Sequence, residues 1–365
     1  MISVKDVARA AVVAAMVLLA VGGAAFGQTH APWPTDWNNW NDPALWVTVG
    51  NPGNAGELSG GSVPGGGGPD RICGAVAYEY KIGKYEVTAG QYTAFLNAVA
   101  ATDTYGLYNT NMDTSVNSYG CNIKRTGSSG SYTYSVASDW ANRPVNYVSW
   151  GDAARFANWL HNGQPTGAQN AGTTEDGAYY LNGATSDAAL LAVTREADWK
   201  WAITSEDEWY KAAYHKNDGV TGNYWDYPTS SNTAPGRDMA DASGNNANYW
   251  PAPYAYPIDS GKYTTVAGEF ENSDSPYGTF DQGGNVWEWN EALISESYRG
   301  LRGGSFWYND NYLRAAYRYS HDYYFPSNED SNIGFRVSEV PEPATMGLLA
   351  LGGLGMLMRR RSVRG

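Results

Sequence analysis

Glu288 stands between two indoles in the run Val286-Trp287-Glu288-Trp289, just after the pair Gly283-Gly284. A carboxylate held against aromatic surface needs a partner, because burying a bare charge is costly. If 286–289 is extended, Trp287 and Trp289 point one way and Val286 and Glu288 the other. Glycine tolerates positive φ, so the preceding turn can bring backbone carbonyls together. A cation held by Glu288 and those carbonyls would supply the partner. Calcium suits such a place, since it takes about six to eight oxygen ligands from carboxylates, amides and carbonyls. The competing reading is an ion pair with an arginine such as Arg302 or Arg336.

A second stretch with chemical potential runs from 307 to 332, WYNDNYLRAAYRYSHDYYFPSNEDSN. Tyrosine with serine and asparagine is the composition of adaptable recognition loops. Trp307, Tyr308, Asn309, Tyr312, Tyr317 and Tyr319 could together stack against and hydrogen-bond a carbohydrate or a protein ligand. The alternative is that the tyrosines fill a shallow core beside Trp287 and Trp289. Other chemistries find little support. The histidines are His30, His161, His215 and His321, and no two lie at zinc-ligand spacing. HEXXH, GxSxG and P-loop patterns are absent. Cys73 and Cys121 are the only cysteines; they could form a disulfide in an oxidising compartment or remain as two free thiols.

The order of motifs adds a resemblance. Lys84 opens KYEVTAGQYTAFL, Arg143 opens RPVNYVSWGDAARFANWL, and Thr204 opens TSEDEWYKAAY. GNVWEW from Gly284, RGGS from Arg302 to Ser305 and GFR from Gly334 to Arg336 follow. Together they resemble the formylglycine-generating enzyme or sulfatase-modifying-factor family over roughly Tyr78 to Val337. The resemblance implies an α+β, loop-rich variant of the C-type-lectin-like fold with few helices. It also implies structural calcium at two places: the Gly284 and Val286 carbonyls with the Glu288 carboxylate, and Asn248, the Tyr249 carbonyl and Asp259. In the catalytic members two cysteine thiolates after RGGS bind copper(I), for which soft thiolates are the right ligands. Here those positions fall approximately on Tyr308 and Leu313, and no cysteine follows Cys121. No copper is therefore expected. The reading is a non-catalytic binding or structural module, with formylglycine-generating or related oxidoreductase activity by an altered site as the alternative.

The elements that must position these residues are legible in part. VAYEYKIGKYEVT from Val76 alternates as a half-buried strand does. Thr88 with Gln91, and Ser205 with Glu208, have capping-box spacing, and Ser149 caps a third helix whose Ala153, Phe156, Ala157 and Leu160 share a face. SGSYTYSV suggests a hairpin, and 161–200 reads as a polar insertion. Residues 1–27 form a secretory signal pattern. Residues 28–70 are a Trp/Gly/Pro-rich lead, with Gly60 to Asp70 a flexible linker by composition. The domain proper is placed at 71–339.

Residues 340–365 carry Pro341, Glu342 and Pro343, a short apolar run and Arg359-Arg360-Arg361, together resembling a PEP-CTERM sorting signal. That implies an exosortase-type protease as partner and membrane contact through the tail before processing. It also implies export to the cell surface, outer membrane or extracellular matrix of a Gram-negative-type bacterium. The formal charge of −13 disfavours nucleic acid and favours cations.

Overall fold

The computed structural model describes residues 36–251, 257–319 and 324–340. The signal pattern at 1–27 and the motif Pro341, Glu342 and Pro343 lie outside the described residues. Strands β1 (Trp46–Val49), β4 (Tyr80–Gly83), β7 (Trp201–Ile203) and β11 (Val337–Glu339) form one sheet, in the order β1-β4-β11-β7, antiparallel throughout. A second sheet holds β8 (Trp287–Ser295) between β9 (Tyr298–Arg302), antiparallel, and β10 (Ile333–Phe335), parallel. Two ribbons complete the strands: β2 (Glu57–Ser59) with β3 (Arg71–Cys73), and β5 (Ile123–Thr126) with β6 (Thr133–Val136). The second of these contains the anticipated hairpin.

Local chemistry explains the helix starts. In α1 (Ala89–Val99) Thr88 and Gln91 close a reciprocal capping box. Ser149 and Asp152 do the same for α2 (Trp150–His161), as do Ser205 and Glu208 for α4 (Glu206–Tyr214). Each box satisfies backbone N–H groups that the first turn leaves without an intrahelical partner. A short helix, α3 (Asp187–Ala192), capped by Ser186, sits inside the stretch that reads as a polar insertion. The pattern there misses it because a helix of six residues shows too little periodicity.

β10 and β11 are one run of chain interrupted at Arg336, so the last described segment serves both sheets. Around it lies an aromatic core in which Trp150, Trp209, Trp287 and Trp289 are fully buried. Phe156 packs against Phe95, Phe335 and Trp40 at ring distances of 5.2, 5.3 and 5.6 Å.

The boundary drawn at residue 71 needs correction. β1 is part of the main sheet, and Trp40 is buried in the core. Gly60 to Asp70 is not a free linker: it joins β2 to β3 and packs on the chain around 316–318. The Gly60 N–H donates to the Ala316 carbonyl, and the Arg318 N–H donates to that of Gly67. A Cβ on Gly66 would lie 2.0 Å from the Gly60 carbonyl oxygen and 2.8 Å from that of Ala316. Glycine is used here for close backbone approach, a role that composition cannot distinguish from flexibility. Cys73 and Cys121 are free and buried.

Candidate functional site

Glu288 projects from the centre of the second sheet and is fully buried with Arg336. The Arg336 Nε and Nη2 groups donate to its two oxygens at 2.6 and 2.7 Å. Trp209 Nε1 donates to the Oε2 oxygen at 2.7 Å. The rest of the guanidinium binds the carbonyls of Gly83 and Phe280, both at 2.9 Å. Arg336 therefore clamps the two sheets and the incoming turn together. It is also the partner that the carboxylate between two indoles demands. A planar, bidentate Arg–carboxylate pair is the form in which buried charge is tolerable.

The turn before β8 meets Asn248. Gly284 has φ +89°, and a Cβ there would sit 2.2 Å from the Asn248 carbonyl oxygen. Asn285, at φ 54°, accepts through Oδ1 from Asn248 Nδ2 and the Thr265 N–H, each at 2.9 Å. Asn248 Oδ1 is buried and has no hydrogen-bond partner. Val286 and Tyr249 are buried nearby, with the Tyr249 hydroxyl donating to the Pro235 carbonyl at 2.7 Å. Asp259 is instead bound to Arg143.

As a cation cradle this donor set fits in part. The free Asn248 oxygen is an unmet acceptor of the kind a hard cation takes, while Glu288 and Asp259 are engaged by arginines. Among the described residues no three His, Cys, Asp or Glu side chains gather as metal ligands. Sequence reasoning kept the Glu288 and Asn248 sets apart; the structure makes them neighbours, linked through Gly284 and Asn285. It also missed Glu86, fully buried beside Asn285 with one oxygen unpartnered. Burial pushes that carboxyl well above the usual range.

The tyrosine segment wraps the other face of β8. Trp287 is ringed by Tyr319, Tyr308, Tyr312 and Tyr317 at 4.8, 5.5, 6.0 and 6.5 Å. Tyr319 is buried, and Tyr308, Tyr312 and Tyr317 are half-buried. Tyr319 thus belongs to the wall around Trp287 rather than to an open surface. Asn309 caps a local turn by accepting from the Asn311 N–H at 3.1 Å. Leu313 is fully buried, its carbonyl accepting from the Tyr214 hydroxyl at 3.0 Å.

Trp307 is different: 38% exposed, it meets Tyr119 edge-on at 5.1 Å, and Tyr119 lies 4.3 Å from Tyr263. No local pattern could have joined Tyr119 and Tyr263 to Trp307, since 188 residues separate the first from the last in the chain. Across from Glu288 in the β8–β9 register stands Arg302, which Glu206 gathers together with Arg318 and Arg71 at 2.8, 2.8 and 2.9 Å. Burial alone would raise Glu206, but these arginines outweigh it and hold the carboxyl at about 2.

What fold and site define together is a loop-rich α+β domain whose short strands are tied by buried arginine–glutamate pairs. The chain belongs to the sulfatase-modifying factor enzyme 1-like domain family, whose pattern matches residues 58–340. The PEP-CTERM protein-sorting motif matches 339–362. That motif is a signal for export and surface sorting in Gram-negative-type bacteria, recognised by exosortase-type machinery.

Among solved structures, variable protein 1 of Treponema denticola is similar at 17% identity, over 81% of this chain and 95% of that one, with a TM-score of 0.45. PvdO from Pseudomonas aeruginosa is similar at 19% identity, over 81% and 94%, with a TM-score of 0.46. CarF is similar at 20% identity, over 81% and 98%, with a TM-score of 0.43. No curated protein matches the chain.

Proposed function

We propose that this exported domain is a non-oxidase binding or structural module acting at the cell surface, outer membrane or extracellular matrix. The observation that carries the reading is the chemistry at the positions where copper-binding thiolates would fall. Tyr308 offers a phenol leaning on Trp287, and Leu313 offers buried hydrocarbon. Neither is a soft ligand for copper(I). The exposed indole of Trp307, set against Tyr119, which in turn meets Tyr263, supports a contact surface for a carbohydrate or protein ligand, because aromatic faces give large contact area at low entropic cost. The test of the catalytic point is direct. Purified protein incubated with copper and a CxPxR peptide is expected to leave the cysteine unchanged by mass spectrometry; an aldehyde product would establish the altered-site oxidase instead. Binding is checked on an array of neutral glycans, where Trp307→Ala should remove the saturable signal.

Calcium is the structural cofactor this reading includes. Asn248 Oδ1 with the carbonyls of Tyr249, Gly284 and Val286 would hold it, and Glu288 would take part only by sharing its charge with Arg336. A bound ion would satisfy the unmet Asn248 acceptor and brace the turn before β8. Chelation should lower the melting temperature by a few degrees, in proportion to how far calcium exceeds its dissociation constant. A melting curve indifferent to EGTA would remove calcium from the proposal.

A further inference from the structure

Arg299, in β9, is 5% exposed, and its guanidinium lies 3.9 Å above the ring of Trp150, the first residue of α2. Its Nη1 donates to the Glu291 carbonyl at 2.8 Å, and its Nη2 to the carbonyls of Leu190 at 2.7 Å and Leu191 at 3.3 Å and to that of Val193. These bonds close the C-terminal end of α3, a favourable place for a cation. They leave two donors over. Arg299 Nε and Trp150 Nε1 are both buried without a partner. Among the described residues no carboxylate forms an ion pair with Arg299. Burial pushes its guanidinium down to about 10, with Glu291 opposing.

Both residues line a cleft of about 230 Å³, together with Tyr179, Val193, Glu291 and Leu293. On the far wall the charged groups are already paired with one another. Arg195 spends its guanidinium on Glu208 and Glu291 at 2.8 and 2.7 Å, and the Tyr179 hydroxyl donates to Glu291. Leu293, opposite Arg299 in the β8–β9 register, is 56% exposed at the rim. A single water occupies about 30 Å³ of liquid, so the cleft holds more than one bridging water. Two buried N–H groups without acceptors, one of them on a guanidinium that no carboxylate contacts directly among the described residues, call for a group that only accepts and is negatively charged.

We propose that this cleft binds the carboxylate of a small organic acid or of an acidic sugar unit, received by Trp150 Nε1 and Arg299 Nε, with Leu293 and Val193 against its apolar side. The site shares no residue with the Trp307 face and stands independently of the function proposed above.

The test uses the whole purified protein, labelled with nitrogen-15 and titrated with sodium acetate and sodium glucuronate. Glucose serves as the uncharged control and sodium chloride as the ionic one. The expected result is a saturable shift of one indole N–H signal, assigned to Trp150 by its loss in Trp150→Phe. Glucuronate affinity should fall about tenfold in that variant, as for loss of one hydrogen bond to a charged group. Leu293→Trp, a change at an exposed rim, should block glucuronate without disturbing the fold, and Trp307→Ala should leave its binding unchanged. Competition by polygalacturonate would identify a sugar-chain unit as the source of the carboxylate, and binding of the monomers alone a free acid. The proposal is overturned if neither carboxylate moves the Trp150 signal more than glucose and chloride do, or if Leu293→Trp binds glucuronate as the parent does.

Discussion

Arg336 and Arg299 are both buried arginines touching the second sheet, but they are partnered differently. Arg336 meets Glu288 through two parallel hydrogen bonds and spends its remaining donors on the carbonyls of Gly83, Lys84 and Phe280. Arg299 meets only carbonyls and keeps Nε free beside a cleft. The first arrangement balances charge inside the fold and leaves nothing for a ligand. The second satisfies the helix end but not the charge. Burial by itself therefore does not separate architecture from site; the count of unspent donors does.

Breaking the closed pair should have the largest effect. Glu288→Ala leaves the Arg336 guanidinium buried without its counter-charge, and losses of this kind run to about 3–5 kcal/mol. Denaturant unfolding should show that loss, with a melting point lower by something on the order of ten degrees. Arg299→Ala should cost less, about 1–3 kcal/mol, because it exposes unpaired carbonyls at the end of α3 rather than an unpaired charge. If both variants lost the same stability, the contrast between the two arginines would be wrong.

Acid sharpens the comparison from the carboxylate side. Burial holds the carboxyls of Glu57 and Glu329 at about 7 and about 8, above their ordinary 4.5. The folded chain then binds protons that the unfolded chain has released, so stability declines as pH rises from about 4.5 to about 8. Glu206 works in the opposite sense. Held at about 2 by its three arginines against the effect of burial, it stabilises fully above 4.5 and less as pH falls toward 2. Melting temperature should therefore peak near pH 4.5, and a flat profile from pH 4.5 to 8 would contradict the burial of Glu57 and Glu329. The smallest stability effect belongs to Trp307→Ala, expected within about 0.5 kcal/mol for an exposed side chain, while ligand contact at that face is lost.

The helix starts were legible because a cap is a contact between residues three apart: Thr88 with Gln91 and Ser205 with Glu208 show the box in the sequence, and Ser149 shows as a cap whose partner Asp152 the structure supplies. The demand for a partner at Glu288 was legible for a similar reason: its flanking indoles are adjacent in sequence. The partner's identity was not, because cation and guanidinium satisfy the same carboxylate. Gly60 to Asp70 misled because glycine serves both loose chain and tight contact, and only the Ala316 carbonyl, far along the chain, tells which. The tyrosines after RGGS misled in part, since Tyr319 closes on Trp287 while Trp307 turns outward.

By itself the sequence determined the family, the sorting motif, the caps and the absence of cysteine after Cys121, all of which are matters of residue type at short spacing. Only the tertiary structure decided that Arg336 answers Glu288, that Tyr119 touches both Trp307 and Tyr263, and that Arg299 and Trp150 share a cleft. Those outcomes depend on which distant groups the packed strands bring within a few ångströms, and hydrogen bonds and ion pairs act only at that range.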